Sequence, residues 1–360
     1  MNDSLEIPTC SSGVASRAAA DYGQLTRRRV ALVALAVGLL LASLLTDVMV
    51  GPAKLSVSEV ASALFQPDEV APAHRTILWS FRLPIALFAL VIGAALGVAG
   101  AQMQTILNNP LASPYTLGVS AGACFGAALA MIWGTSVVSL ASTLLVPLSA
   151  FIFAMLCSLA VYAVAHVKRG STENIILSGV ALLFLFNAGI GFLKFVASED
   201  QLAAIVFWIF GSLQGATWPK LAIISTALVL IVPIFAARAW QLTALRMGDD
   251  RARSLGVDVR RLRLEVLILV SILTATAVCF VGAIGFIGLV APHLARIMVG
   301  EDQRYFMPLS ALTGALLLSV ASIASKMLIP GAVFPIGIAT AFMGVPFFAT
   351  MVLAKRRSYW

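Results

Sequence analysis

Long apolar runs alternate along this chain with short polar breaks, and most of the runs are nearly free of charge. A helix rises about 1.5 Å per residue, so ~20 apolar residues cross a hydrocarbon core of ~30 Å. Ten runs read as crossings: 30–50, 83–107, 115–133, 143–165, 175–197, 218–239, 264–283, 286–299, 308–328 and 335–354. An eleventh, Leu202 to Gly211, is about half the required length and lies between Glu199 and Asp200 before it and Gly215 after it. It is expected to be a short re-entrant or periplasmic surface helix.

Composition agrees with the pattern. At 60% hydrophobic, 11% charged and a mean hydropathy of +0.99, the chain has too few charges to cover the surface of a water-soluble fold. The expected class is an all-α integral membrane protein: a polar tail over 1–28, expected to be disordered, one transmembrane domain over 29–355, and a short tail over 356–360. The first run is expected to be a retained helix, because it is longer than a signal-peptide core and a polar stretch precedes it. Arg27, Arg28 and Arg29 before the first run, and Lys355, Arg356 and Arg357 after the last, put both ends in the cytoplasm by the positive-inside rule. Ten crossings then leave only Lys54, Arg75, Arg82, Lys194, Lys220 and Lys326 outside, of 24 Lys and Arg in all. The net charge of +8 therefore reads as loops beside an anionic leaflet and not as a nucleic-acid surface.

Catalytic chemistry is hard to assemble from this inventory. Cys10, Cys124, Cys157 and Cys279 have no ligand or disulfide spacing, and His74, His166 and His293 are isolated. No G-x-x-x-x-G-K-[ST] phosphate loop occurs, so no hydrolysis by this chain, no metal and no bound cofactor are expected.

Spans two to five start from outside and spans seven to ten from inside, the arrangement of an inverted repeat. Gly93 and Gly97, and the ladder Gly118, Gly122, Gly126, stand at helical spacing and are read as close helix contacts.

Three polar features stand out. The basic segment Trp240 to Glu265 interrupts the oil: Gly248, Asp249 and Asp250 open a short helix carrying Arg251, Arg253 and Leu255, Gly256 is a left-handed stop, and Asp258 caps the next helix. It is either an ordinary positive-inside loop or a docking element. The break Asn108 to Tyr115 (NNPLASPY) and the turn Arg169 to Asn174 (RGSTEN) form either a gate or tight turns. Outside, Arg82 and Lys326 either snorkel to the interface or meet a partner.

Taken together, FRLPIALFALVIGAALGVAG (81–100), NNPLASPYTLGVSAGA (108–123), GDDRARSLGVDVRRLR (248–263), VGAIGFIGLVAPHLAR (281–296) and VFPIGIATAFMGVPFF (333–348) resemble the FecCD-type permeases, membrane subunits of bacterial importers of iron-siderophores, haem and vitamin B12. The resemblance runs over about residues 79–353. It implies a type II ABC importer permease fold in the inner membrane, with ten helices and a short helix after the fifth, pairing with a second permease subunit, identical or similar. It implies that the loop 240–263 is a coupling element in which Asp249, Asp250, Arg251, Arg253, Leu255 and Gly256 dock on a separate ATPase subunit, which holds ATP and Mg. It implies that Asn109, Leu111, Ser171 and Thr172 lie at the cytoplasmic gate, and that Arg82 and Lys326 dock a periplasmic substrate-binding protein. Lys326 stands where the vitamin B12 type has Arg, and Ile85 where that type has another Arg. With GSLQGATW (211–218) resembling the iron-complex branch, the cargo is expected to be a ferric siderophore or haem in preference to cobalamin. Alternatives from other classes are an ion-coupled secondary transporter, for which Asp47 is the one nearby carboxylate, and a membrane-embedded enzyme.

Overall fold

A computed structural model describes residues 12–51, 56–66, 70–134, 142–167, 172–328 and 334–353. The described residues are helical with connecting turns: α1 (Ser12–Met49), α2 (Val57–Phe65), α3 (Pro72–Ile106), α4 (Val119–Gly134), α5 (Ser142–Val167), α6 (Thr172–Val196), α7 (Glu199–Ile209), α8 (Trp218–Ala237), α9 (Ala239–Leu245), α10 (Asp249–Ser254), α11 (Val259–Val281), α12 (Ile287–Val299), α13 (Gln303–Met327) and α14 (Ile336–Leu353). Seven are long and apolar enough to cross a membrane, and α4, α12 and α14 are shorter apolar helices. Together these ten coincide with the ten runs, and α7 is the short helix expected after the fifth, capped by Ser198 and Gln201 in reciprocal bonds.

One boundary differs from expectation. Helix α1 begins at Ser12, inside the tail expected to be disordered, because residues 12–29 are rich in the strong helix formers Ala, Leu, Arg and Gln. Helix α12 has 13 residues, or about 20 Å, close to the expected run 286–299, and follows the irregular segment 282–286. Irregular backbone at such depth must find internal partners. It does so where three breaks meet: the Ser212 amide donates to the Val281 carbonyl (2.8 Å), Ile336 to Gly211 (3.2 Å) and Gly337 to Phe210 (2.9 Å).

Helices α3, α11 and α13 form the buried centre, while α1, α6 and α8 keep most of their surface outward. The packing repeats with partners exchanged: α3 lies on α13 as α11 lies on α5, α4 on α5 as α12 on α13, and α5 on α6 as α13 on α14. That is the neighbour pattern of an inverted repeat in which α3–α6 correspond to α11–α14.

Small residues allow the central crossing. A Cβ on Gly97 would run into the Ser310 carbonyl, and one on Gly93 would meet Gly314 and Ala315 backbone. Gly122 and Gly126 press in the same way on Phe153 and Ser149 of α5. Backbone cannot swing aside as a side chain can. Gly97→Ala should therefore lower the stability of the detergent-solubilised chain by about 1–3 kcal/mol. Gly38→Ala, where a Cβ meets nothing within 4 Å, should not; thermal unfolding of the two variants checks this.

Candidate coupling, gate and docking sites

The basic segment folds as anticipated. Helix α10 starts at Gly248 (φ +103) and stops at Gly256 (φ +82), two left-handed positions that suit residues without a Cβ. Asp258 then accepts a hydrogen bond from the Arg261 amide (3.0 Å) and caps α11. Ala252 and Val257 are buried beneath. Asp250, Arg251, Arg253, Leu255 and Gly256 face outward, and Leu255 and Met247 keep about half of their surface exposed (50% and 55%). The result is a small mixed apolar and charged face, suited to docking.

Asp249 opens α10 and also braces it. Its carboxylate accepts from Arg263 Nη2 at 3.0 and 3.3 Å. Arg263 is only 5% exposed, and its Nε donates to the Ile106 carbonyl at the end of α3 (2.8 Å). Asp249 thus ties α10 to α11 and, through Arg263, to the end of α3, while keeping 37% of its side chain exposed.

The break after α3 satisfies its own backbone. Asn109 Oδ1 accepts from the Leu111 amide (2.9 Å), and Ser113 and Thr116 bond each other's amides reciprocally (3.1 and 3.2 Å). Leu111 and Tyr115 point outward from this loop. Thr172 opens α6 half-buried, and Ser171 lies outside the described residues.

Beside the loop is a polar cluster that no motif disclosed. Arg246 Nη1 donates to Asn108 Oδ1 (2.7 Å), and its Nη2 pairs with Glu301. Arg296 Nε lies 3.2 Å from the same Glu301 carboxylate, and its Nη2 donates to Gln104 Oε1 (2.8 Å). Deeper in, Gln303 Nε2 donates to Thr105 Oγ1 (2.8 Å) and Gln102 Nε2 to Gln303 Oε1 (3.1 Å). Next along the chain, Asp302 caps α13, and hydrogen bonds from Arg304 hold its carboxyl below the usual range. Only the polar residues Gln102, Gln104 and Thr105 in an otherwise apolar run signalled the cluster beforehand.

At the opposite end, the two cations expected to dock a binding protein are both turned inward. Arg82, 6% exposed, closes a π turn (Ile77–Arg82) that forms where Pro84 cannot bond back to Ser80. Its Nη1 donates to the Val48 and Met49 carbonyls (2.9 Å each), which the end of α1 leaves without helical partners. Lys326 Nζ lies 2.8 Å from Asp47 Oδ1 and 3.0 Å from the Asp47 carbonyl. Asp47 is fully buried and also accepts from Ser322 Oγ (3.0 Å); one helical turn away, the Ser43 and Ser319 hydroxyls share a bond of 2.7 Å. Low dielectric is the reason: near a bilayer a cation gains more from a carboxylate or orphan carbonyls than from projecting outward. Arg82 and Lys326 are clamps on α1 in this structure.

Two cavities open between the helices. One, of ≈ 210 Å³, is lined by Lys326, Ser322, Ser212, Gln214 and Phe207; the other, of ≈ 230 Å³, by Tyr115, Cys124, Asn187 and Lys194.

The sequence model of the FecCD transport family matches residues 39–354. A hemin transport system permease protein of Yersinia pestis is 36% identical over 280 residues, covering 78% of this chain and 84% of the relative. A vitamin B12 import system permease protein of Vibrio cholerae is 33% identical over 324 residues, covering 90% and 94%. Among solved structures, a transporter described as of the metal-chelate ABC type, in an inward-facing conformation, aligns with a TM-score of 0.79 at 30% identity, covering 90% of this chain and 99% of that one.

Proposed function

Since this chain belongs to the FecCD transport family and is a multi-pass ABC transporter permease, we propose that it carries an iron complex, a ferric siderophore or haem, from the periplasm to the cytoplasm. In this reading it sits in a bacterial inner membrane with both termini cytoplasmic, pairs with a second permease subunit, and receives cargo from a periplasmic binding protein. ATP and Mg are bound and hydrolysed on separate cytoplasmic ATPase subunits. The chain contributes a pathway and a coupling face.

The observation that carries the coupling part is the α9–α10 unit, with a small outward face over a charged brace that reaches the end of α3. A surface loop needed only for topology has no use for a buried Arg263 paired with Asp249 beneath it. The secondary-transporter reading is disfavoured by Asp47, because a carboxylate held 2.8 Å from a buried ammonium is not available to bind and release a coupling ion. An iron complex is favoured over cobalamin by GSLQGATW and by Lys326 and Ile85 in place of arginines.

The test is uptake of radiolabelled ferric siderophores, haem iron and cobalamin by cells lacking this chain and by the same cells with it restored. Loss confined to one iron complex is expected. Loss confined to cobalamin would move the cargo to the vitamin B12 branch, and uptake that survives removal of the ATPase would support ion coupling.

A further inference from the structure

The ring of charges beside the loop after α3 joins four parts of the chain that the backbone keeps apart. Arg246 comes from the end of α9, Asn108 and Gln104 from the end of α3, Arg296 from α12, and Glu301 from the turn before α13. We propose that Arg246 is a positioning residue that passes movement of the α9–α10 coupling unit to the gate loop by gripping Asn108. The inference rests on the coupling reading above and adds the side chain through which the movement travels.

The grip has two separate handles on the same helix end. Arg263 holds the Ile106 carbonyl, still within α3, from a buried position fixed by Asp249. Arg246 holds Asn108, two residues further and already outside the helix, with a second, longer bond to the Gln104 carbonyl (3.4 Å). Between the handles the chain changes direction. Asn108 has φ +44, and it and Phe286 are the two non-glycine residues with positive φ among the described residues. Asn tolerates that conformation better than other side chains do, so the direction change is built in at the residue that Arg246 holds.

Electrostatics sets the role of each member. Two guanidinium groups share one carboxylate, since Glu301 meets both Arg246 and Arg296. Arg246 is 13% exposed at its side chain, so its Nη1 depends on Asn108 and Gln104 for acceptors, and its Nε has no hydrogen-bond partner. Arg296 anchors the far side: it reaches Gln104 Oε1, and its guanidinium carbon sits 5.2 Å from the Phe306 ring centre. A shift of α9 relative to α3 therefore acts directly on the Arg246–Asn108 bond. A planar fork is needed to hold Glu301 and Asn108 in two directions, which a lysine would not supply.

The experiment uses the complex purified with its ATPase in nanodiscs, with Leu111→Cys as a thiol reporter on the exposed loop. The labelling rate with a water-soluble maleimide is read with and without ATP and Mg. In the parent, nucleotide is expected to change the rate. Arg246→Ala and Asn108→Gly should each cut that response by about tenfold, as expected for loss of one charge-assisted bond, while ATP hydrolysis continues. The double variant should be no worse than either single, as for two members of one interaction. Asn108→Gly removes the acceptor while keeping positive φ accessible, so it decides the matter even if Arg246→Ala disrupts assembly. An unchanged response in Asn108→Gly overturns the relay, and so does a defect confined to Asn108→Ala, which would report backbone strain alone. No response in the parent, with the ATPase bound, overturns the coupling reading itself.

Discussion

Lys326→Met is expected to destabilise the chain by about 3–5 kcal/mol, the usual result of removing one partner of a buried ion pair. The side chains of Lys326 and Asp47 are 7% and 0% exposed and 2.8 Å apart. Without the ammonium, Asp47 would keep one hydroxyl donor, Ser322, on Oδ1, and its Oδ2 already lacks a hydrogen-bond partner. A neutral Asp47 removes the problem at its source. The double variant Lys326→Met with Asp47→Asn should therefore recover most of the loss, since replacing both charges is far less harmful than stranding one. Thermal unfolding of the purified chain in detergent measures both. The same pair of variants separates the clamp from the docking role anticipated for Lys326. A docking residue would weaken association with the binding protein and leave the unfolding temperature unchanged.

The second large effect is expected at Gly256. Its φ of +82 places a β-branched side chain in a conformation that costs about 1–2 kcal/mol or more, yet a Cβ there would meet nothing within 4 Å. Gly256→Val should therefore leave the transmembrane body folded. The strain is relieved when the turn between α10 and α11 changes shape, a shift of about tenfold or more in the population of the docking-competent form. Cargo uptake driven by ATP should fall accordingly and the ATPase should co-purify less, with no change in the melting of the membrane helices. Uptake and ATPase recovery equal to the parent would show that the left-handed turn has no part in coupling. Gly256→Asn should be milder than Val, because Asn visits positive φ more readily.

How much of this was legible beforehand depended on the range of the interaction. Runs of apolar residues place the ten spans, since crossing a bilayer demands length and low charge and both are local properties. The turns of the coupling segment were equally readable: Gly248, Gly256 and Asp258 act on backbone within three residues of themselves. Close approach at Gly93, Gly97, Gly122 and Gly126 was visible as spacing, though not the identity of the helix opposite. The start of α1 at Ser12 was less readable, because polarity and helix propensity point in different directions over 12–28.

What a side chain faces was beyond local reading. Arg82 and Lys326 each look, in sequence, like cations at the end of an apolar run, where an outward pose is the ordinary one. Their partners lie far away along the chain: Lys326 meets Asp47 across 279 positions, and Arg82 meets Val48 across 34. Arg246 finds Asn108 across 138. Sequence by itself determined that this protein is a bundle of membrane helices interrupted by one capped, charged helix pair, because hydrophobic length and backbone capping act over a few residues. Tertiary structure alone decided which charges are outward and which are clamps, because in a low-dielectric interior each charge goes where distant helices bring a partner to it.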